Sequence, residues 1–191
     1  MKNYLVSYGH SGNTWFRYCI EYITKKPTHG HRAFSISERK DNLLRINVSD
    51  EPILIKRHTL EDITNNDNFI LLLRDPSECI KSDQDVNKEF LKYYSLIQGY
   101  DLHTGPKSVI YYDGIFSNDW MKLFIYSNPL FDAEMFCNRI EDLLVNWEHH
   151  KSECLNIYNN IIKKDGADLS SIPSIFLEHE LIKNNCSSIH F

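Results

Sequence analysis

The chain has 191 residues, 42% of them hydrophobic and 25% charged. That is enough for one domain with a sizeable core, and it argues against global disorder. A formal net charge of −5 argues against a general nucleic-acid binder, which carries a basic face. It does not exclude a small anionic ligand, because such a site depends on a few local donors.

Five cysteines (Cys19, Cys79, Cys137, Cys154 and Cys186) are dispersed with no CxxC pair. This pattern reads as reduced thiols in an intracellular protein, with Cys19, Cys79 and Cys137 as core filler. No run approaches 18 apolar residues, and the chain does not open on a basic region followed by an apolar stretch. The expectation is a cytoplasmic protein with no membrane span.

In chain order, residues 3–8 predict a buried strand. It runs through Ser7 and Tyr8 into Gly9-His10-Ser11-Gly12-Asn13-Thr14. Residues 14–25 predict a helix with Phe16, Cys19, Ile20 and Ile23 on its apolar face, ended by Pro27 and the Thr28-His29-Gly30-His31 cluster. Strand, small-residue loop, helix is an order that aims successive backbone N–H groups and a helix N-terminus at one spot, which makes an anion site. The two glycines permit close approach of the backbone, and Ser11 and Thr14 add hydroxyl donors. Residues 33–51 are polar and irregular, with a short strand at 43–48, and suit a lid or acceptor-side element.

Residues 52–56 form a second strand pattern that ends in Lys56-Arg57-His58. Thr59 caps a predicted helix over 60–64, with Asp62 three residues on, and 65–68 is a turn. Phe69-Ile70-Leu71-Leu72-Leu73 is the most apolar run; its lack of alternation predicts a central parallel strand covered on both faces. Arg74-Asp75-Pro76 follows, with Asp75 as N-cap, Pro76 at the first helical position and Glu78 in the opening turn. A long helix is predicted over 77–100. Gly105-Pro106 breaks the chain, and 107–113 is a further strand. Helices are then predicted over 118–126, 132–163 and 169–183, the last interrupted by Pro173. The helical spacing of Phe136, Ile140, Leu143, Leu144, Trp147 and Cys154 reads as core.

Alternating strands and helices predict a single α/β domain. Its central parallel sheet has four to five strands flanked by helices, with a core over about 1–115 and a helical part over 116–191. Ligands of such sheets sit beyond the carboxyl ends of the strands. Those positions are 10–14, 56–58, 74–75 and 113–114, a polar and mostly cationic rim.

Four segments on that rim resemble the sulfotransferase family. Tyr8-Gly9-His10-Ser11-Gly12-Asn13-Thr14-Trp15 resembles the 5′-phosphosulfate loop, usually Tyr-Pro-Lys-Ser-Gly-(Thr/Asn)-Thr-Trp. Ile55-Lys56-Arg57-His58 resembles the Lys-Thr-His strand end that supplies the catalytic histidine. Leu73-Arg74-Asp75-Pro76 with Ser82 resembles the 3′-phosphate segment, an arginine followed eight residues later by a serine. Ile110-Tyr111-Tyr112-Asp113 resembles the later Tyr-Glu-Asp strand. The segments occur in the family's order and span about residues 4–115; the helical third carries no matched motif.

The resemblance implies a P-loop-like sulfotransferase architecture. It also implies transfer of a sulfuryl group from 3′-phosphoadenosine 5′-phosphosulfate to a hydroxyl or amine of a small-molecule or glycan acceptor, with no metal. Charge stabilisation and positioning carry such a transfer, as in phosphoryl transfer. His58 would be the general base and Lys56 the cation that neutralises the leaving phosphate. His10, Ser11, Gly12, Asn13 and Thr14 would hold the 5′-phosphosulfate, Trp15 would lie near the adenine, and Arg74 and Ser82 would take the 3′-phosphate.

Trp15 also reads as a core residue, His58 as a capping histidine, and Lys56 as a strand-end lysine. Arg74 can equally pair with Asp75 or Asp113, the latter read as structural, and His149-His150 reads as a solvated pair. The chain departs from the family at His10, where a lysine is usual, at Gly9, where a proline is usual, and in lacking the downstream Arg-Lys-Gly clamp, which residues 163–166 do not supply. A nucleotide-binding protein that has lost catalysis is therefore the alternative, and a P-loop kinase a weaker one, since no Gly-Lys-Ser/Thr is present. Tyr93, Tyr94, Tyr100, Trp120 and Phe124 suit an apolar or sugar-ring acceptor. The sequence sets no oligomeric state.

Overall fold

Leu5, Val6 and the Phe69–Leu72 run expose 1% of their surface or less, and they form the two adjacent strands at the heart of the protein. The computed structural model describes residues 1–9, 11–30, 46, 50–80, 84–128 and 133–164. The strands are β1 (Asn3–Ser7), β2 (Thr28–His29), β3 (Leu54–Arg57), β4 (Asn68–Leu73) and β5 (Lys107–Tyr111). They form one sheet in the order β2-β3-β1-β4-β5, with every pairing parallel. The helices are α1 (Asn13–Thr24), α2 (Pro76–Cys79), α3 (Val86–Leu102), α4 (Tyr112–Ile115), α5 (Asn118–Ser127), α6 (Ala133–Val145) and α7 (Trp147–Lys164).

Side chains alternate across each strand, and the two sheet faces build separate clusters. Leu5, Leu54, Ile70, Leu72 and Ile110 meet Trp15, Phe16, Cys19 and Ile23 of α1, together with apolar residues of α4 to α7. Tyr4, Val6, Phe69 and Leu71 meet Leu96, Ile97 and Tyr100 of α3. The expected α/β sheet covered by helices on both faces is what the chain adopts.

Four expected elements differ. Residues 60–64 form turns instead of a helix. Asp62 takes a positive φ of 69°, and Asp67 draws the segment in by accepting from Thr64 N at 3.1 Å, Thr64 Oγ1 at 2.7 Å and Lys2 N at 2.9 Å. The 77–100 helix is two helices: Ile80 turns extended and closes α2, and the Asp85 carboxylate caps α3 through Lys88 N. The strand over 107–113 stops at Tyr111, and Tyr112 opens α4. The 132–163 helix is interrupted at Asn146 into α6 and α7, although Asn146 N still donates to Asp142 O and His150 N to Asn146 O.

Cys137 is exposed, not core filler, while Cys19, Cys79 and Cys154 are buried. The two-residue β2 had no apolar signal; polar bonds place it. Thr28 Oγ1 accepts from Arg17 Nε at 2.7 Å and donates to Glu21, and Thr28 N donates to Glu21 Oε1 at 3.0 Å. The strand expected at 43–48, apart from the buried Ile46, and the helix expected at 169–183 lie outside the described residues. Among the described residues no helix is long and apolar enough to cross a membrane.

Candidate functional site at the carboxyl rim

β1 sends its chain directly into the loop that opens α1. The N-cap of α1 is Gly12, in the left-handed conformation at φ 76°, with no side-chain cap and no acidic residue in the first turn. The helix therefore starts with backbone donors that carry no side-chain cap, where its dipole favours an anion. A Cβ on Gly12 would stand 2.7 Å from Tyr112 Cε2 and 2.9 Å from Ile115 Cδ1, so only glycine seats the loop against α4. Ser11 is fully buried and donates to Tyr8 O at 2.8 Å, with Cys79 Sγ 3.7 Å from its oxygen. Burial holds the Cys79 thiol above its ordinary pKa, so it stays protonated. Tyr8 fixes the far side of the loop, donating to Glu89 Oε2 of α3 at 2.5 Å. Gly12, Asn13 and Thr14 remain partly accessible.

Ser7 closes β1 on the same face as Leu5, the face that α1 covers. It is fully buried, and its Oγ has no hydrogen-bond partner among the described residues. Its carbonyl faces sideways to the neighbouring strand, where His58 Nδ1 lies 2.6 Å away. A carbonyl only accepts, so Nδ1 carries the proton and, in the neutral ring, Nε2 holds the basic lone pair. The His58 residue is exposed. Lys56, two residues earlier, is in register with Leu5 on β1 and so stands on the α1 face of the sheet.

Arg74, at the end of β4, has a side chain only 3% exposed. Its Nε donates to Glu78 Oε2 at 2.8 Å, and its guanidinium lies 4.2 Å from the Tyr112 ring centre. Tyr93 of α3 donates to the Arg74 carbonyl at 2.7 Å. Arg74 thus forms an ion pair with Glu78. Asp75 caps α2 as expected, accepting from Ser77 N at 2.8 Å and Ser77 Oγ at 2.6 Å. Those two bonds hold its pKa below the ordinary value. A cavity of about 310 Å³ opens here, lined by Arg74, Asp75, Glu78, Tyr93, Tyr112 and Asp113 among others. Burial raises both Tyr93 and Tyr112 to about 12, so each remains a neutral phenol.

The rim thus gathers Gly12 and Arg74 around one ring, Tyr112, and joins His58 to the strand that feeds the loop. Trp15 is not on the rim. It is 1% exposed, its indole donates to Ile115 O at 2.7 Å, and its ring packs on Tyr18, Phe116 and Trp147. His10 and Ser82 lie outside the described residues. Of the aromatics expected near an acceptor, Tyr93 lines the rim cavity, and Tyr100 packs on Phe69. Trp120 and Phe124 stack together in a second cavity of about 500 Å³ along β5.

Three residues of this site were not singled out by sequence. Glu78 had a usable signal, its four-residue spacing from Arg74. Tyr112 figured only as part of the Ile110 to Asp113 strand segment, with no role of its own, and Ser7 had no signal, since it looks like an ordinary strand residue. His150, expected in solvent, is 4% exposed, between Tyr18 and Tyr22 of α1, with Nε2 3.3 Å from Asp142 Oδ2. His149 beside it is solvated as expected, its side chain 70% exposed. Among the described residues no group of three or more His, Cys, Asp and Glu side chains is placed to hold a metal ion.

Fold and rim together define an open, all-parallel α/β protein with an uncapped helix start, an exposed histidine and a buried arginine at the carboxyl ends of its strands. No family model matches the chain, and no curated protein or solved structure matches it either.

Proposed function

We propose that the chain is a sulfotransferase of P-loop-like architecture that moves a sulfuryl group from 3′-phosphoadenosine 5′-phosphosulfate to a hydroxyl or amine acceptor. The observation that carries this reading is the 2.6 Å bond from His58 Nδ1 to the Ser7 carbonyl. It orients the ring from the strand that leads into the anion loop and leaves Nε2 as the basic atom. A base so placed can take the acceptor proton as the acceptor oxygen or nitrogen bonds to sulfur. The bond between sulfur and the bridging oxygen then breaks, and its electron pair leaves on the phosphate of adenosine 3′,5′-bisphosphate. Lys56, on the α1 face of the sheet, supplies positive charge for that developing anion. The backbone N–H groups at the start of α1 and the Ser11 to Thr14 segment receive the 5′-phosphosulfate, and Arg74 receives the 3′-phosphate.

The test is transfer from radiolabelled donor to a panel of phenols, sugars and amines. Wild type should label at least one, and His58→Ala should transfer about 100-fold less or worse while binding adenosine 3′,5′-bisphosphate as tightly as wild type. Equal turnover by His58→Ala would refute the assignment. A second reading, a nucleotide-binding protein without catalysis, draws on His10, which stands where the resembled family has a lysine. It expects nucleotide binding with no transfer, and gain of transfer on His10→Lys.

A further inference from the structure

We propose that Glu78 is a built-in competitor for the anion position at Arg74, so that ligand affinity at this rim is set by release of the Glu78 carboxylate; this rests on the donor reading above. The two halves of the pair are unequal. The Arg74 side chain is 3% exposed and the Glu78 side chain 54%, so the arginine is the fixed member and the glutamate the one that can swing into water. Arg74 keeps its place when Glu78 leaves, because the Tyr112 ring backs the guanidinium at 4.2 Å and Tyr93 ties the residue's carbonyl. Glu78 sits on a helix of only four residues, α2, which is held at its start by Asp75 and closed at Ile80.

The guanidinium and Glu78 both face the cavity of about 310 Å³. A phosphate oxygen and a carboxylate oxygen offer a guanidinium the same acceptor geometry, so one can replace the other. Asp75 and Asp113 line the same cavity, so an arriving phosphate meets two carboxylates nearby instead of three once Glu78 has swung out into water. A ligand that binds only the released state has its affinity reduced by the fraction of molecules released. The site is therefore tuned by a side chain one helical turn along from the residue that does the binding.

The experiment titrates purified wild type and Glu78→Gln with adenosine 3′,5′-bisphosphate and with adenosine 5′-phosphate by calorimetry. The expected result is bisphosphate binding about tenfold tighter in Glu78→Gln, for a carboxylate that closes the site about nine-tenths of the time, with the 5′-phosphate binding equally to both proteins. Equal or weaker bisphosphate binding in Glu78→Gln overturns the proposal, as does an equal gain for both nucleotides. Should Glu78→Gln fail to fold, Glu78→Asp, whose carboxylate is drawn back by one methylene, is expected to show a gain of the same sign. If neither protein binds the bisphosphate, the donor reading falls. The competitor is then judged with inorganic phosphate alone: stabilisation of Glu78→Gln at lower phosphate than wild type supports it, and identical curves overturn it.

Discussion

Gly12 and Tyr112 touch so closely that no side chain fits between them: a Cβ on Gly12 would lie 2.7 Å from Tyr112 Cε2, at a residue whose φ is already +76°. Gly12→Ala therefore meets two penalties, a left-handed backbone and an overfilled contact. The expected loss is about 2–4 kcal/mol, read by urea denaturation. Because only the contact depends on Tyr112, Gly12→Ala in a Tyr112→Leu background should recover part of the loss but not all. Full additivity of the two changes would show that the contact does not matter.

Thr28 joins a two-residue strand to α1 through buried charge. Its hydroxyl accepts from Arg17 and donates to Glu21, in surroundings where Glu21 and Thr28 are fully buried. Thr28→Val keeps the shape and removes the hydroxyl, leaving each ion one partner fewer. The expected cost is about 2 kcal/mol, with Thr28→Ser close to wild type. Equal stability of Thr28→Val and wild type in denaturant would show that these bonds contribute nothing net.

His150 makes stability depend on pH. Burial is the main cause that lowers its pKa below the ordinary 6.5, and Asp142 and Glu153 pull the other way. Tyr18, Tyr22, Asp142, Glu153 and His149 surround the ring. Between the depressed folded value and 6.5 the unfolded chain binds more protons than the folded one. Stability therefore rises with pH in that window and is lost as pH falls below 6.5. His150→Gln should flatten the slope of melting temperature against pH just below 6.5. The Asp142 carboxyl, whose pKa is lowered first by its bond from Tyr22, acts separately and only at more acidic pH.

What could be read from the sequence followed from burial that is continuous along the chain. The Phe69–Leu73 run and the α1 spacing of Phe16, Cys19, Ile20 and Ile23 announce themselves because each residue sees the same neighbour sheet or helix. The rim segments were legible because strand ends are fixed once the strands are. What escaped was decided by single polar side chains, some bonding a few residues away and some reaching across the fold. Asp67 turned 60–64 into turns, Asp85 started a new helix, and Thr28 made a strand from two residues. The same holds at the site, where Glu78 occupies Arg74 and Tyr112 bridges the two ends of the rim. Hydrophobic periodicity encodes none of these contacts: some are short-range polar pairs such as Arg74 with Glu78 and Asp85 with Lys88 N, and others, such as Gly12 against Tyr112, depend on which distant residue arrives opposite.

The sheet order has a consequence for how the chain must assemble. β1 is central, and its partners are residues 54–57 and 68–73, so that Asn3 waits for Asn68, 65 residues later. The nearest strand partners in sequence, β3 and β2, are still 26 positions apart, Thr28 with Leu54. With every pairing among the described residues parallel, none of these five strands forms a hairpin with another, and loop closure must precede each of their contacts. During synthesis the apolar β1 therefore has no strand partner until β3 has emerged, and its second edge stays open until β4 follows. The local alternative is α1, which follows β1 directly and whose Trp15 and Phe16 pack in one cluster with Leu5. The contact between α1 and β1 can thus form before any of the strand pairings of β1.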